Sequence, residues 1–575
     1  MTYDSARPLP PILAGNVTVN KRELVKEKCD EEPTRMCDML TRLRQNAGFR
    51  EMGVRFACTS SSLEAIYAQG LRELSASVEA SPLDRPILYE GGVYQGCWLE
   101  STGTINAEVL ARFWPEAAAS TYEHFADFQR EDGLLPFMIT PAGADYTHIQ
   151  MVTPLARSVW NSYLLQGGQD RNHLSKMYGA MKRFDQWVGE HRNRRGTGCV
   201  EAFCVWDTGH DRSPRFWHIP DCTPLGDACA YYEDVPALPY LAPDLTANVY
   251  CQRKYLAKMA RELGEPESEA VLWETLSAEM LENLMNHCFD ERDQFFYDVD
   301  RFGGFIRVQS DVLLRVLACE VGDDRFFSLA LKKYLLNTRK FFSRFPLTSI
   351  AMDDPRFNPR FDLNNWFGMT NFLTLLRAPH AFEHHGRFVE LSWIMNAAIA
   401  AFSKMTRFSQ GMCPWSGEAA YTSEYTPAIL CLLDYIERLC GIVPLPSGQL
   451  WFTGMTAWAY EGVSRQEEQF AYGRTADHRK FEIVTNATEA KVYRDDCLLY
   501  RFPRGIRLVT DRSGSLQGII GISANAVAGV VEYENLQIPF AIEGNEAMSF
   551  DGRQFETAMR PGVIAPVTEE WGNTL

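Results

Sequence analysis

Hydrophobic positions in the middle of the chain recur every three or four residues, the spacing that gathers side chains on one face of an α-helix. Leu174, Met177, Tyr178, Met181, Phe184, Trp187 and Val188 form the clearest stripe and predict a helix with all seven turned inward. A second helix is predicted to start at Trp114-Pro115, where a first-turn proline costs nothing because that N–H has no intrahelical partner. It turns Ala118, Tyr122, Phe125 and Phe128 inward. Further helices are predicted over 245–261, 267–286, 324–336, 387–402 and 425–439.

Residues 196–244 break this rhythm and are rich in Pro, Asp, Trp and Tyr. A compact domain rarely keeps so long an irregular segment unless it has a function there. Helices alternating with long loops gathered on one side predict a mainly α fold, a toroid of helical hairpins whose loop face forms the site. No internal repeat is detectable, so a solenoid is disfavoured. After Pro446 the texture changes. Phe481-Glu482-Ile483, Lys491-Val492-Tyr493 and Ile506-Arg507-Leu508 alternate or are β-branched, and turn signals such as Asp551-Gly552 separate the strands. The predicted organisation is an N-terminal extension packed on the barrel (1–55, with a charged, helix-compatible stretch from Lys21 to Arg50), a helical body (56–445) and a small C-terminal β domain (446–575) that buttresses it.

Composition narrows the function classes. With 46% hydrophobic and 23% charged residues, the 575-residue chain is not a disordered polyelectrolyte. Its 13 Trp, 23 Tyr and 34 Phe suit both a large core and a ring-lined sugar cleft. A net charge of −17 repels phosphate backbones and anionic lipid, which disfavours nucleic acid and membrane and favours a neutral or cationic ligand. The basic run His191-Arg192-Asn193-Arg194-Arg195 reads as a solvated loop after a helix. Fifteen scattered cysteines suggest free thiols in a reducing compartment. No CxxC or His/Cys ligand spacing stands out, so no metal is expected. Neither a basic-apolar leader before Pro8 nor a run of about 20 apolar residues is visible, and a cytoplasmic location is expected. Oligomeric state is not legible.

Acetal hydrolysis needs one carboxylic acid to protonate the leaving oxygen and one carboxylate to direct water. Two loop segments offer carboxylates among aromatics. Trp206-Asp207-Thr208-Gly209-His210-Asp211-Arg212-Ser213-Pro214-Arg215 lies in the long loop, and an aromatic wall would hold one of its carboxyls protonated. The alternative is that Asp207 and Asp211 cap a helix or pair with Arg212 and Arg215. Trp415-Ser416-Gly417-Glu418 precedes Glu424-Tyr425-Thr426. Glu424 suits a helix N-terminus and its dipole, whereas Glu418 has no such local role. The Gly-rich segment Tyr89–Gly103 carries Trp98 and Glu100, suited to stacking on and hydrogen-bonding a sugar, and Gln150 is a similar candidate. Gly-Lys-Ser/Thr is absent after those glycines, so no phosphate cradle is indicated.

The 206–215 segment resembles the acid-bearing motif of the (α/α)₆ six-hairpin glycosidases, the group of trehalase, processing α-glucosidase I and mannosylglycerate hydrolases. Thr208-Gly209-His210-Asp211 occupies the family's Ser-Gly-x-Asp core. Asn365-Trp366-Phe367-Gly368-Met369-Thr370-Asn371-Phe372 is similar to its site-lining Val-Trp-Pro-x-x-Asn-Tyr segment, and Ser416-Gly417-Glu418 before Tyr425-Thr426 to trehalase's Gly-Gly-Glu-Tyr ahead of Gly-Trp-Thr. The resemblance implies Asp211 as general acid and Glu418 as general base, with Glu424 as the alternative base. It implies a sugar-lining set of Trp98, Glu100, Gln150, Trp206, Asp207, His210, Arg215, Trp366, Asn371, Trp415, Glu424 and Tyr425. The expected activity is inverting hydrolysis of an α-linked glucoside or small neutral glycoside, without metal or organic cofactor. A sugar epimerase or a non-catalytic carbohydrate-binding protein on the same toroid is the alternative.

Overall fold

The computed structural model describes residues 32–46, 52–80, 84–150, 154–360, 363–457 and 467–568. The expected Lys21–Arg50 helix is seen as Glu32–Gln45 with a bend at Asn46, and its other positions lie outside the described residues.

The central stripe folds as predicted. Arg171–His191 is one helix, started by Asp170 accepting the N–H of His173, and all seven stripe residues are buried. Pro115–Asp127 starts on its proline and buries Ala118, Tyr122 and Phe125, while Phe128 forms the C-cap. Pro243–Leu263 and Glu267–Cys288 form the most extensive helical hairpin. The predicted 324–336 helix is shorter, running Asp324–Ala330 before a wider turn. Phe372–His384, Phe388–Phe402 and Thr426–Cys440 follow, and every residue of Phe388–Phe402 is buried, as expected of a helix apolar on all sides. The last of them packs on the first helix of this body, Ser61–Ala76.

The C-terminal strands assemble into two antiparallel sheets. One is six-stranded and carries Gln449–Thr453 and Ile506–Asp511; the other is seven-stranded and runs from Phe470–Ala476 to Leu536–Ile542. They meet through Phe452, whose ring lies 5.5 Å from that of Phe481. The seventh strand is not C-terminal: Val54–Cys58 pairs antiparallel with Phe470–Ala476. Met36, Met39, Leu40 and Leu43 of Glu32–Gln45 pack on Ala471 and Val484 of the same sheet, and Arg44 bonds Glu482. The described part of the N-terminal segment is thus stitched to the β unit and also touches the helical body, where Arg42 pairs with Glu64 of Ser61–Ala76 at 3.0 Å and the Phe56 ring lies 4.6 Å from that of Tyr67. Its apolar stripe is complementary to a sheet face that sequence periodicity alone cannot pair with it.

Among the described residues no helix is long and apolar enough to cross a membrane, and the cysteines carry free thiols.

Candidate active site

The long loop is irregular but heavily braced. After strand Glu201–Ala202, a short 3₁₀ turn over Val205–Thr208 carries Asp207, whose carboxylate is fully buried. It takes both terminal nitrogens of buried Arg192, at 2.6 and 3.1 Å, and the backbone N–H groups of Phe203, Cys204 and Ile149. A carboxylate satisfied on all sides does not contact a substrate, so the expected sugar-facing role of Asp207 is replaced by a scaffolding one. Arg192 likewise departs from its basic run, whose solvated part is carried by Arg194.

Next, Gly209 adopts a left-handed backbone (φ 68°), and a Cβ there would run into Glu100 Oε2. This close approach brings the loop against the Glu100 carboxylate, which Arg315 and Arg377 hold at 3.4 and 3.1 Å. His210 and Arg215 face inward as well. Arg215 grips Asp244 and Asp298 with paired bonds of 2.8–2.9 Å, and its Nη1 lies 2.6 Å from His210 Nδ1. Burial, with Arg315 next, lowers the His210 pKa to about 3, so the ring is neutral. Neither residue has exposed surface, which corrects their assignment as sugar ligands.

Asp211 is different. It is half-buried, its Oδ2 accepts one hydrogen bond from Asn364 Nδ2 at 2.6 Å, and its carbonyl takes the N–H of Trp366. Burial, then the charges of Glu100 and Asp221, raise its pKa from 3.8 to about 7. Glu90, absent from the sequence-derived set, is a second such acid. It accepts from Ser101 Oγ and from Tyr425 Oη at 2.8 Å, and burial with Glu100 and Asp211 nearby pushes its pKa to about 8. Burial raises Glu100 too, against the pull of its two arginines. Three mutually repelling carboxyls therefore share one region.

Aromatic and amide groups surround them. Tyr94 donates to Gln410 at 3.0 Å, and its ring lies 5.3 Å from Trp98 and 5.7 Å from Tyr425. Gln150 is nearly buried beside Gly209, with its Oε1 unpartnered among the described residues. Trp366 is buried, its ring tilted 40° against that of His210 at 4.6 Å, with the Arg315 guanidinium 4.9 Å from its ring. It backs the site instead of presenting a face. Asn371 is also buried and caps the helix Phe372–His384 through Leu373 N. Trp206 is 40% exposed, 5.8 Å from the His148 ring, and Trp415 is half-buried against Ile350, Met352 and Phe357.

The second loop is tied to the first through backbone. Trp366 bonds Asp211, Thr370 pairs with Met412, and Met412 bridges to Ala419, next to Glu418. Glu418 is exposed and accepts from Ser416 Oγ at 3.1 Å. Glu424 is exposed in a left-handed conformation (φ 52°) and does not cap the following helix, whose N-cap is Tyr425. Its charge bears on Glu73 of Ser61–Ala76, raising that group's pKa after burial. The glycines of the Tyr89–Gly103 segment explain themselves here. A Cβ on Gly91 or Gly92 would strike the carbonyls of Glu424 and Ser423, so only glycine lets this loop zip onto the segment before the last helix. Gly91-Gly92 was thus the sequence signal for Glu90.

A helical body whose loops gather carboxyls lifted toward neutrality, amides and aromatic rings is suited to glycoside hydrolysis, and the comparisons place the chain among glycoside hydrolases. The mannosylglycerate hydrolase MGH1-like glycoside hydrolase domain model matches residues 105–425, and the chain belongs to that family. Among solved structures, GH63 mannosylglycerate hydrolase from Thermus thermophilus in complex with Tris superposes with a TM-score of 0.55 at 17% identity, covering 64% of this chain and 99% of that one. The same enzyme in complex with glucose gives 0.53 at 16% identity, covering 64% and 100%. A sialidase gives 0.56 at 14% identity, covering 79% of this chain and 41% of that one. No curated sequence matches. The protein is a glycosidase, which sets aside the epimerase and non-catalytic alternatives.

Proposed function

We propose that the enzyme hydrolyses an α-linked glucoside or related small neutral glycoside with inversion, using Asp211 as general acid and Glu418 as general base. The observation that carries this reading is the state of Asp211, a solvent-reachable carboxyl with a pKa of about 7 and one amide hydrogen bond. An acid catalyst must hold its proton near neutrality and still reach the glycosidic oxygen. Glu418 suits the base because no strong partner occupies it and its loop is linked by backbone pairs to the Asp211 loop. Glu424, beside Glu73, is the weaker candidate. Inversion calls for the two carboxyls to stand roughly 6.5–9.5 Å apart with water between them. Trp98, Gln150, Trp206, Trp415 and Tyr94 would line the sugar, with Glu100 fixed by its arginines to accept a hydroxyl. The packing of the last helix on the first supports a closed (α/α)₆ toroid over residues 56–445, with 446–575 as the β unit. A cytoplasmic location and a carbohydrate as the sole partner complete the reading.

The test is leaving-group dependence in Asp211→Asn. Loss of proton donation should cripple natural glycosides and spare an aryl glycoside whose leaving group needs no proton. Equal losses on both would remove Asp211 from the acid role.

A further inference from the structure

Away from the carboxyl-lined site, the C-terminal turns of Phe372–His384 bring two imidazoles to one face. His380 and His384 are four residues apart, with ring planes 22° from parallel and centroids 6.0 Å apart. Glu320, in the segment after helix Val312–Leu317, points at the same spot, its Oε1 3.0 Å from His380 Nε2. One ligand atom from each of the three residues lies within 4.8 Å of the other two.

From this geometry we propose that Glu320, His380 and His384 bind one divalent transition-metal ion of the Zn²⁺ class, which fastens the end of this helix to the segment after Val312–Leu317. Two imidazoles and a carboxylate are a borderline-soft donor set that favours such ions over Ca²⁺ or Mg²⁺. Bonds of about 2.0–2.1 Å in a tetrahedron put ligand atoms roughly 3.3 Å apart, so the widest pair closes by at most about 1.5 Å. His384 can supply that movement because it is exposed. Glu320 is already oriented: Lys254 Nζ sits on its Oε2 at 2.7 Å, and Tyr255 Oη donates to Oε1 at 2.7 Å. Such outer partners fix a ligating carboxylate in place, and the second lone pair of Oε1, which faces His380, is the one offered to the ion. The solvent-facing side leaves a fourth position for water. Arg377, one turn earlier on the helix, reaches Glu100 instead, so the cluster lies one helical turn beyond the residue that holds that carboxylate.

The full chain, stripped with a chelator, would be titrated with Zn²⁺ and with Co²⁺ as a spectroscopic reporter. Wild type should bind one equivalent that His384→Ala loses or binds at least tenfold more weakly. His380→Ala should behave the same way, and His384→Gln replaces the alanine variant should that one fold poorly. The Co²⁺ complex should show d–d bands without thiolate charge transfer, and Zn²⁺ should raise the melting temperature of wild type but not of the variants. Equal stoichiometry and affinity in wild type and both variants, or a thiolate spectrum, would overturn the site.

Discussion

Replacing Asp211 by Asn tests the physical origin of the proposed acid, because stability and activity should move in opposite directions. In the folded chain the Asp211 pKa is raised from 3.8 to about 7, while an unfolded chain keeps it near 3.9. Between those values the folded state holds one more proton than the unfolded state, so wild-type stability falls as pH rises through the window and levels off above it. At about 1.36 kcal/mol per unit the full shift amounts to roughly 4 kcal/mol. Because Asp211 is half-buried, water screens part of this, and about 2 kcal/mol is the expected effect. Asn resembles the protonated acid and has no charge to desolvate. Urea unfolding of both proteins from about pH 4 to about pH 8 should therefore show the variant gaining about 2 kcal/mol over wild type across that range. Turnover on a natural glycoside should meanwhile drop by about 10²–10⁴-fold. A stability difference independent of pH, or one growing toward acid, would refute the assignment of the raised pKa to Asp211.

Other variants probe the remaining parts. Glu418→Gln should abolish hydrolysis, with azide rescuing turnover of a reactive aryl glycoside, while Glu424→Gln stays active; the reverse pattern would move the base to Glu424. Gly209→Ala must push Glu100 aside in a backbone conformation alanine dislikes. It should cost about 1–2 kcal/mol in unfolding experiments and at least tenfold in kcat/KM, and wild-type values would mean that this close approach is unimportant. Arg192→Met strands the buried Asp207 charge, and denaturant melts should show a loss of about 3–5 kcal/mol. A loss under about 1 kcal/mol would imply that water or another donor replaces the guanidinium.

Much of the helical body was legible because its helices bury one stripe each, and period alone finds them: all seven residues of the 174–188 stripe are buried. The place of the N-terminal segment was not legible, since Val54–Cys58 finds its partner more than four hundred positions away. Motif resemblance located Asp211 but could not tell a reaching carboxyl from a bracing one. Asp207 and Arg215 share its loop, yet their partners Arg192, Asp244 and Asp298 come from outside the motif. Glu90 is revealed by burial, which only the fold supplies, although the two glycines beside it marked a close approach. The His380/His384 pair stands at helical spacing in the sequence, but Glu320 joins it only through packing.

The most direct test of the account is the configuration of the sugar at the moment of release. An α-linked aryl glycoside identified in a substrate screen would be hydrolysed in the NMR tube and the anomeric protons followed before mutarotation. Direct attack of water opposite the leaving group, with Asp211 donating and Glu418 accepting a proton, predicts that the β-anomer appears first. First release of the α-anomer would require a covalent intermediate or attack from the same face, and would contradict the two-carboxylate inverting mechanism.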